Sequence, residues 1–180
     1  MSPLRPPVSR DDHLEGDPAA PVILVEYGDY ECPYCGAAHP VVKALQRRFR
    51  QHIGFVYRHF PLTQVHPHAA HAAESAEAAS SVDLFWPMHD TLFEHQNALD
   101  DRHLLAYAER VGVPGDVVAT ALESEQFAPR IRRDFLSGVR SGVNGTPSFF
   151  INGQKYEGDY DEASLGDAIE AELAARTLSG

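Results

Sequence analysis

The sequence predicts an α/β protein: a mixed sheet covered by helices and interrupted by a long helical block. Three observations carry this reading. Two short apolar runs, Pro21–Tyr27 and Ile53–Phe60, flank a helical pattern; apolar stripes at helical spacing fill residues 66–142; a hairpin signal at Asn152-Gly153 precedes a last helix. With 180 residues there is room for one domain with a sizeable core, or for one domain carrying a large insertion.

The elements follow in order. Residues 1–18 are rich in proline and charge and read as a flexible arm. Pro21-Val22-Ile23-Leu24-Val25-Glu26-Tyr27 suits a strand buried on both faces. Val41, Val42, Leu45 and Phe49 recur at helical spacing, with Lys43, Arg47, Arg48 and Arg50 between them, and predict an amphipathic helix over about 33–50. A second strand, Ile53–Phe60, stops at Pro61, which completes a βαβ unit with a right-handed crossover. The helical block contains an alanine-rich stretch, Ala69–Ala79, and apolar stripes at Leu84/Phe85/Met88/Leu92/Phe93, Leu104/Leu105/Ala108/Val111, Val117/Val118/Ala121/Leu122 and Phe127/Ile131/Phe135/Val139. With Trp86, these stripes read as core. Ser148–Ile151, the Asn152-Gly153 turn and Gln154–Glu157 form the hairpin, and Leu165, Ala168, Ile169 and Leu173 mark the final helix.

Composition narrows the function classes. The chain is 43% hydrophobic and 23% charged, and its formal charge of -11 argues against nucleic-acid partners and anionic membrane surfaces. No run approaches a membrane span. The first twenty residues hold prolines and charges where a signal peptide needs an apolar run, so a cytoplasmic location is expected if Met1 is the true start; a chain stripped of its leader would look the same.

Both cysteines, Cys32 and Cys35, lie in Tyr30-Glu31-Cys32-Pro33-Tyr34-Cys35. A structural staple is disfavoured, because so short a loop stabilises least. Three other chemistries are open to the pair. Thiol–disulfide exchange fits best: Cys32 sits where a helix begins, Pro33 takes the first helical position, and the helix start favours a thiolate. Cys35 falls one turn further along the same face, within reach of Cys32. A metal site using Cys32 and Cys35 would need further ligands, and the candidates are His66, His68 and His71 in HPHAAH, whose plainer reading is a loop and first helical turn. A cysteine hydrolase needs a histidine base, and a second nearby thiol works against it. His39, His59, His89 and His95 read as packing or surface residues, although a protonated His39, one turn past Cys35, would help tune the cysteines.

The run Gly16-Asp17-Pro18-Ala19-Ala20-Pro21-Val22, the stretch Val25–Cys35, Arg58-His59-Phe60-Pro61-Leu62, Phe85-Trp86-Pro87-Met88-His89-Asp90 and Gly142-Val143-Asn144-Gly145-Thr146-Pro147-Ser148-Phe149-Phe150-Ile151-Asn152-Gly153 together resemble the DsbA-like thiol–disulfide oxidoreductases of the thioredoxin superfamily. The resemblance covers nearly the whole chain after the arm. It implies a thioredoxin fold divided as 19–62 (first half, with CxxC), 63–140 (inserted helical domain) and 141–180 (second half). It also implies a cis Thr146-Pro147 bond beside the cysteines. Thr146 and Pro147, with Pro33 and Tyr34, would then contact substrate, and Glu26 would manage the proton of Cys35. The implied substrates are protein or small-thiol disulfides, served by a recycling partner and by no cofactor beyond the Cys32–Cys35 disulfide. Pro33-Tyr34 resembles the glutaredoxin dipeptide, so electron flow in either direction stays open. The reference couples run from about -270 to -120 mV, and a potential of about -230 to -150 mV is expected. A thioredoxin-fold chaperone or adaptor that binds without turnover is the alternative from another class.

Overall fold

The computed structural model describes residues 2–177, with Thr177 known in its backbone only. Five strands form one mixed sheet in the order β1-β3-β2-β4-β5. β2 (Val22–Gly28) lies at the centre, parallel to β3 (Ile53–His59) and antiparallel to β4 (Ser148–Ile151). The crossover between β2 and β3 is α1 (Pro33–Phe49). The short β5 (Gln154–Lys155) pairs with β4 across Asn152-Gly153. Both turn residues have positive φ, 48° and 79°, as a two-residue turn matched to strand twist requires. Asn152 also extends β2: its Oδ1 accepts from the Ile23 N–H, and its own N–H donates to the Ile23 carbonyl, both at 2.9 Å.

The sheet is buried on both faces, as the apolar runs predict. Alternation along β2 sends Val25 and Tyr27 to one side, where they join Leu4, Val56, Phe60, Val143 and Phe150. Val22 and Leu24 point to the other side, toward Cys35, Leu45, Phe55 and Phe149. Glu26 shares that second face by the same two-residue period. Helices α2 (Ala69–Ser80), α3 (Phe85–Glu94), α4 (Asp101–Val111) and α5 (Gly115–Ser124) pack on one another and share the α1-side core. The last helix, α7 (Glu162–Thr177), packs against α1. Among the described residues, no helix is long and apolar enough to cross a membrane.

Two sequence expectations need correction. The expected flexible arm is part of the fold: β1 (His13–Gly16) pairs antiparallel with β3, and Leu4 is buried, its N–H donating to the Gly153 carbonyl at 2.8 Å. Arg58, buried on β3, fixes the segment by a two-pronged contact with Asp12 at 2.7 and 2.9 Å. A proline-rich stretch with one short strand has no periodicity to reveal this. The second correction concerns α6 (Ala128–Arg140), where the four-residue stripe does not stay on one face. Val139 is 51% exposed, while Ile131, Asp134, Ser137 and Gly138 are buried. Twelve residues of a 3.6-residue helix carry Val139 about 120° from Phe127. Small residues are needed on the buried face, because a Cβ on Gly138 would meet Phe60 at 2.7 Å.

Candidate active site

The site grows from the end of β2. Asp29, buried, organises the loop that follows. Its Oδ1 accepts from the Glu31 N–H at 2.8 Å, and its Oδ2 accepts from the Leu62 N–H at 2.8 Å and contacts His66 Nδ1 at 2.7 Å. Gln96 closes the other side, its Nε2 donating to the carbonyls of Tyr30 at 2.7 Å and Cys32 at 2.9 Å. The amide lies so close to α1 that a Cβ on Gly36 would sit 1.8 Å from Gln96 Oε1. Sequence reasoning missed Asp29 and Gln96. The polar Asp29 beside buried Gly28 was a usable signal, whereas Gln96 lies 64 residues from Cys32 and gave none.

Cys32 is the N-cap of α1 and Pro33 follows at the first helical position. Both cysteines are free thiols and both are buried, while Pro33 and Tyr34 between them are exposed. A hydrogen bond from Cys35 is the main reason the Cys32 pKa falls to about 5; burial opposes it, and Thr146 and the backbone N–H groups of Cys35 and Tyr34 assist. Burial pushes the Cys35 thiol well up, and the bond to Cys32 and the charge of Glu26 add to this. The two sulfurs therefore differ in kind, one a ready thiolate and the other a held thiol.

The Thr146-Pro147 peptide bond is cis, and the Thr146 carbonyl lies 3.5 Å from Cys32 Sγ. Thr146 precedes β4, so its main chain has no ladder partner. Glu26 lies on the same sheet face with a 2% exposed residue and a carboxylate Oε1 that makes no hydrogen bond. Burial, with a smaller contribution from Cys32, raises its pKa to about 8. The neutral form thus favours the folded state. Stability is complete below the unfolded value near 4.5 and is lost as pH rises through 8. In the oxidised protein, where the Cys32 charge is gone and burial alone acts, Glu26→Gln should be more stable than wild type at pH 8 by a few kcal/mol, on the order of 1.4 kcal/mol for each unit by which burial raises the pKa. The gap should close below pH 5, as followed by urea denaturation. Parallel pH profiles for the two proteins would refute the buried carboxylate.

The structure does not gather the HPHAAH histidines around the cysteines. His66 contacts Asp29, His71 Nδ1 lies 2.6 Å from Asp101, and the His68 N–H donates to Glu31 at 2.6 Å. Among the described residues, neither group with metal-ligand spacing contains a cysteine or one of these three histidines. His39 is no cationic tuner either. It stacks on Phe93, and burial lowers its pKa against the pull of Asp90.

The comparisons with known proteins bear on the family and the fold. A family model described as thioredoxin matches residues 9–171. Among curated proteins, the chain is 46% identical over 173 residues to one named Na(+)/H(+) antiporter NhaA 1 from Salinispora arenicola, covering 96% of this chain and 26% of that protein. It is 38% identical to Na(+)/H(+) antiporter NhaA from Herminiimonas arsenicoxydans, covering 93% and 27%. The chain thus spans about a quarter of the length of the curated relatives it matches. Among solved structures, BdbD from Bacillus subtilis superposes with a TM-score of 0.85 at 23% identity over 96% of both chains. A thioredoxin-like oxidoreductase from Silicibacter pomeroyi superposes at 0.81 with 25% identity, over 92% of this chain and 94% of that one. Wolbachia pipientis alpha-DsbA1 superposes at 0.84 with 19% identity, over 96% of both chains. The chain belongs to the thioredoxin family and has the fold of its DsbA-type members.

Proposed function

We propose that this chain is a thiol–disulfide oxidoreductase exchanging disulfides with protein or small-thiol substrates through Cys32 and Cys35. The observation that carries the reading is the asymmetry of the pair: Cys32 has a pKa of about 5 and Cys35 one well above the ordinary value. A pure binding module has no use for that difference.

In the reducing direction the Cys32 thiolate attacks one sulfur of a substrate disulfide. A mixed disulfide forms, the substrate S–S bond breaks, and the departing thiolate takes a proton from solvent. Cys35 then gives its proton to ionised Glu26 and attacks Cys32 Sγ. The Cys32–Cys35 disulfide forms and the second substrate thiolate leaves. Oxidation of a dithiol is the same sequence reversed. A carboxyl poised near pH 8 can take or return a proton at neutral pH. The electrons reside in the cysteine pair itself, and a recycling partner restores it.

The main chain of Thr146, engaged by no strand of the sheet and with its carbonyl contacted by the Cys32 sulfur, offers an extended substrate segment a hydrogen-bonding edge beside Cys32, with Pro147, Pro33 and exposed Tyr34 as the surrounding contact surface. Insulin reduction in the presence of a small dithiol tests the reading. The protein should accelerate the precipitation of insulin chains, and Cys32→Ser should remove the acceleration. A wild-type rate equal to that of the dithiol alone would contradict turnover.

A further inference from the structure

On the α1-facing side of the sheet, away from the role assigned to the cysteines, three chemistry-bearing side chains converge from three elements. His13 comes from β1, His59 from the end of β3 and Glu77 from α2. His13 Nε2 lies 2.7 Å and His59 Nε2 2.8 Å from the same oxygen, Glu77 Oε1. His59 and Glu77 are buried, at 1% and 4% exposure, and His13 is nearly so. Phe85 stacks on the His13 ring at 3.6 Å, and Tyr57 stands edge-on to His59 at 5.5 Å, so aromatic rings wall the cluster.

We propose that His13, His59 and Glu77 form a binding site for one divalent transition-metal cation of the zinc class. Two imidazoles and one carboxylate are the donor set such ions take, and neither Mg2+ nor Ca2+ prefers it. Metal–ligand bonds of about 2.0–2.2 Å in tetrahedral array put neighbouring donors about 3.3 Å apart. Each histidine nitrogen would therefore move roughly half an ångström away from Glu77 Oε1. Metal binding requires the proton of each imidazole on Nδ1. For His59 this exchanges the Nε2–Glu77 hydrogen bond for the metal bond and makes a donor of Nδ1, which has no protein partner. A water would fill the fourth position from the partly exposed His13 side.

The surrounding charges permit the ion. Arg130 Nε stands 3.7 Å from Glu77 Oε1 and 4.0 Å from Asp134 Oδ2. With neutral histidines, Glu77, Asp134 and Arg130 leave one negative charge, and Arg130 has a second carboxylate to turn to. The other histidine group, His39, His89 and Asp90, lacks this freedom, because Lys43 Nζ already occupies Asp90 Oδ1 at 2.9 Å. A bound ion would clip β1 and the segment before it to α2.

The experiment titrates Co2+, then competing Zn2+, into the full chain with Cys32 and Cys35 oxidised, so that no thiolate can bind. One ion per chain is expected, with the visible absorption of low-coordinate cobalt, and Zn2+ should raise the melting temperature. His13→Gln, at an edge-strand position, and Glu77→Gln should each weaken binding at least about 100-fold. His39→Gln should leave binding unchanged, and His13→Gln should lose the Zn2+ effect on melting while keeping the wild-type circular dichroism spectrum. No saturable binding, equal affinity for Mg2+ or Ca2+, binding indifferent to His13→Gln, or loss of binding in His39→Gln would each overturn the site.

Discussion

Cys35→Ser should accumulate mixed disulfides with substrate proteins, and Cys32→Ser should accumulate almost none. In the first variant the thiolate at Cys32 still attacks, and no second sulfur remains to release the product. In the second, the surviving thiol is buried with a pKa above the ordinary 9.0, against about 5 for Cys32. At pH 7 a group with a pKa of 9 is about 1% thiolate, so the initial attack should slow at least about 100-fold. Acid quenching followed by non-reducing electrophoresis measures both. Equal trapping by the two variants would contradict the assigned order of attack.

The largest effect on stability is expected at Arg58. Its guanidinium grips Asp12, donates from Nη1 to Tyr27 Oη at 2.9 Å and to the Pro6 carbonyl at 3.0 Å, and donates from Nη2 to the Pro7 carbonyl at 3.2 Å. Arg58→Met leaves Asp12 buried without its cation, which costs about 3–5 kcal/mol. For a domain of this size, that lowers the melting temperature by roughly 6–20 °C. Adding Asp12→Leu removes the orphaned charge and should recover much of the loss, because a buried pair exceeds its apolar replacement by little. A single variant within about 1 kcal/mol of wild type would mean that the clasp does not hold the N-terminal segment.

Much of the fold is legible because its signals are local. The β-branched apolar run Val22–Val25 suits a doubly covered strand, Pro33 marks a helix start, and Asn152-Gly153 specifies its own turn. Glu26 is visible as one acid inside an apolar strand, and the sheet's two-residue period then places it on the cysteine side. What escapes the sequence is held by distant partners. His13–Gly16 becomes a strand because β3 offers an open edge and Arg58 needs a carboxylate. His59 reads as a packing histidine, and its burial agrees, yet its link to Glu77 and His13 exists only once three elements meet. The α6 stripe misleads because apolar residues four apart drift around a 3.6-residue helix, and the sheet surface beneath selects small residues in their place. HPHAAH reads as a loop and first helical turn with ligands as the rival, and the structure agrees with the plainer reading: the rings of His66 and His71 face Asp29 and Asp101, and the His68 main chain donates to Glu31.

In a thiol–disulfide oxidoreductase of the kind proposed, the pair would cycle between dithiol and disulfide, with Cys32 held as a thiolate. A stabilised thiolate favours the reduced form and moves the potential upward from that of thioredoxin, about -270 mV. Equilibration of the protein against glutathione buffers of graded ratio, with the thiols counted after acid quenching, tests this most directly. A reversible two-electron transition between about -230 and -150 mV is expected. A pair that does not exchange with glutathione, or one that titrates near -270 mV, would contradict it.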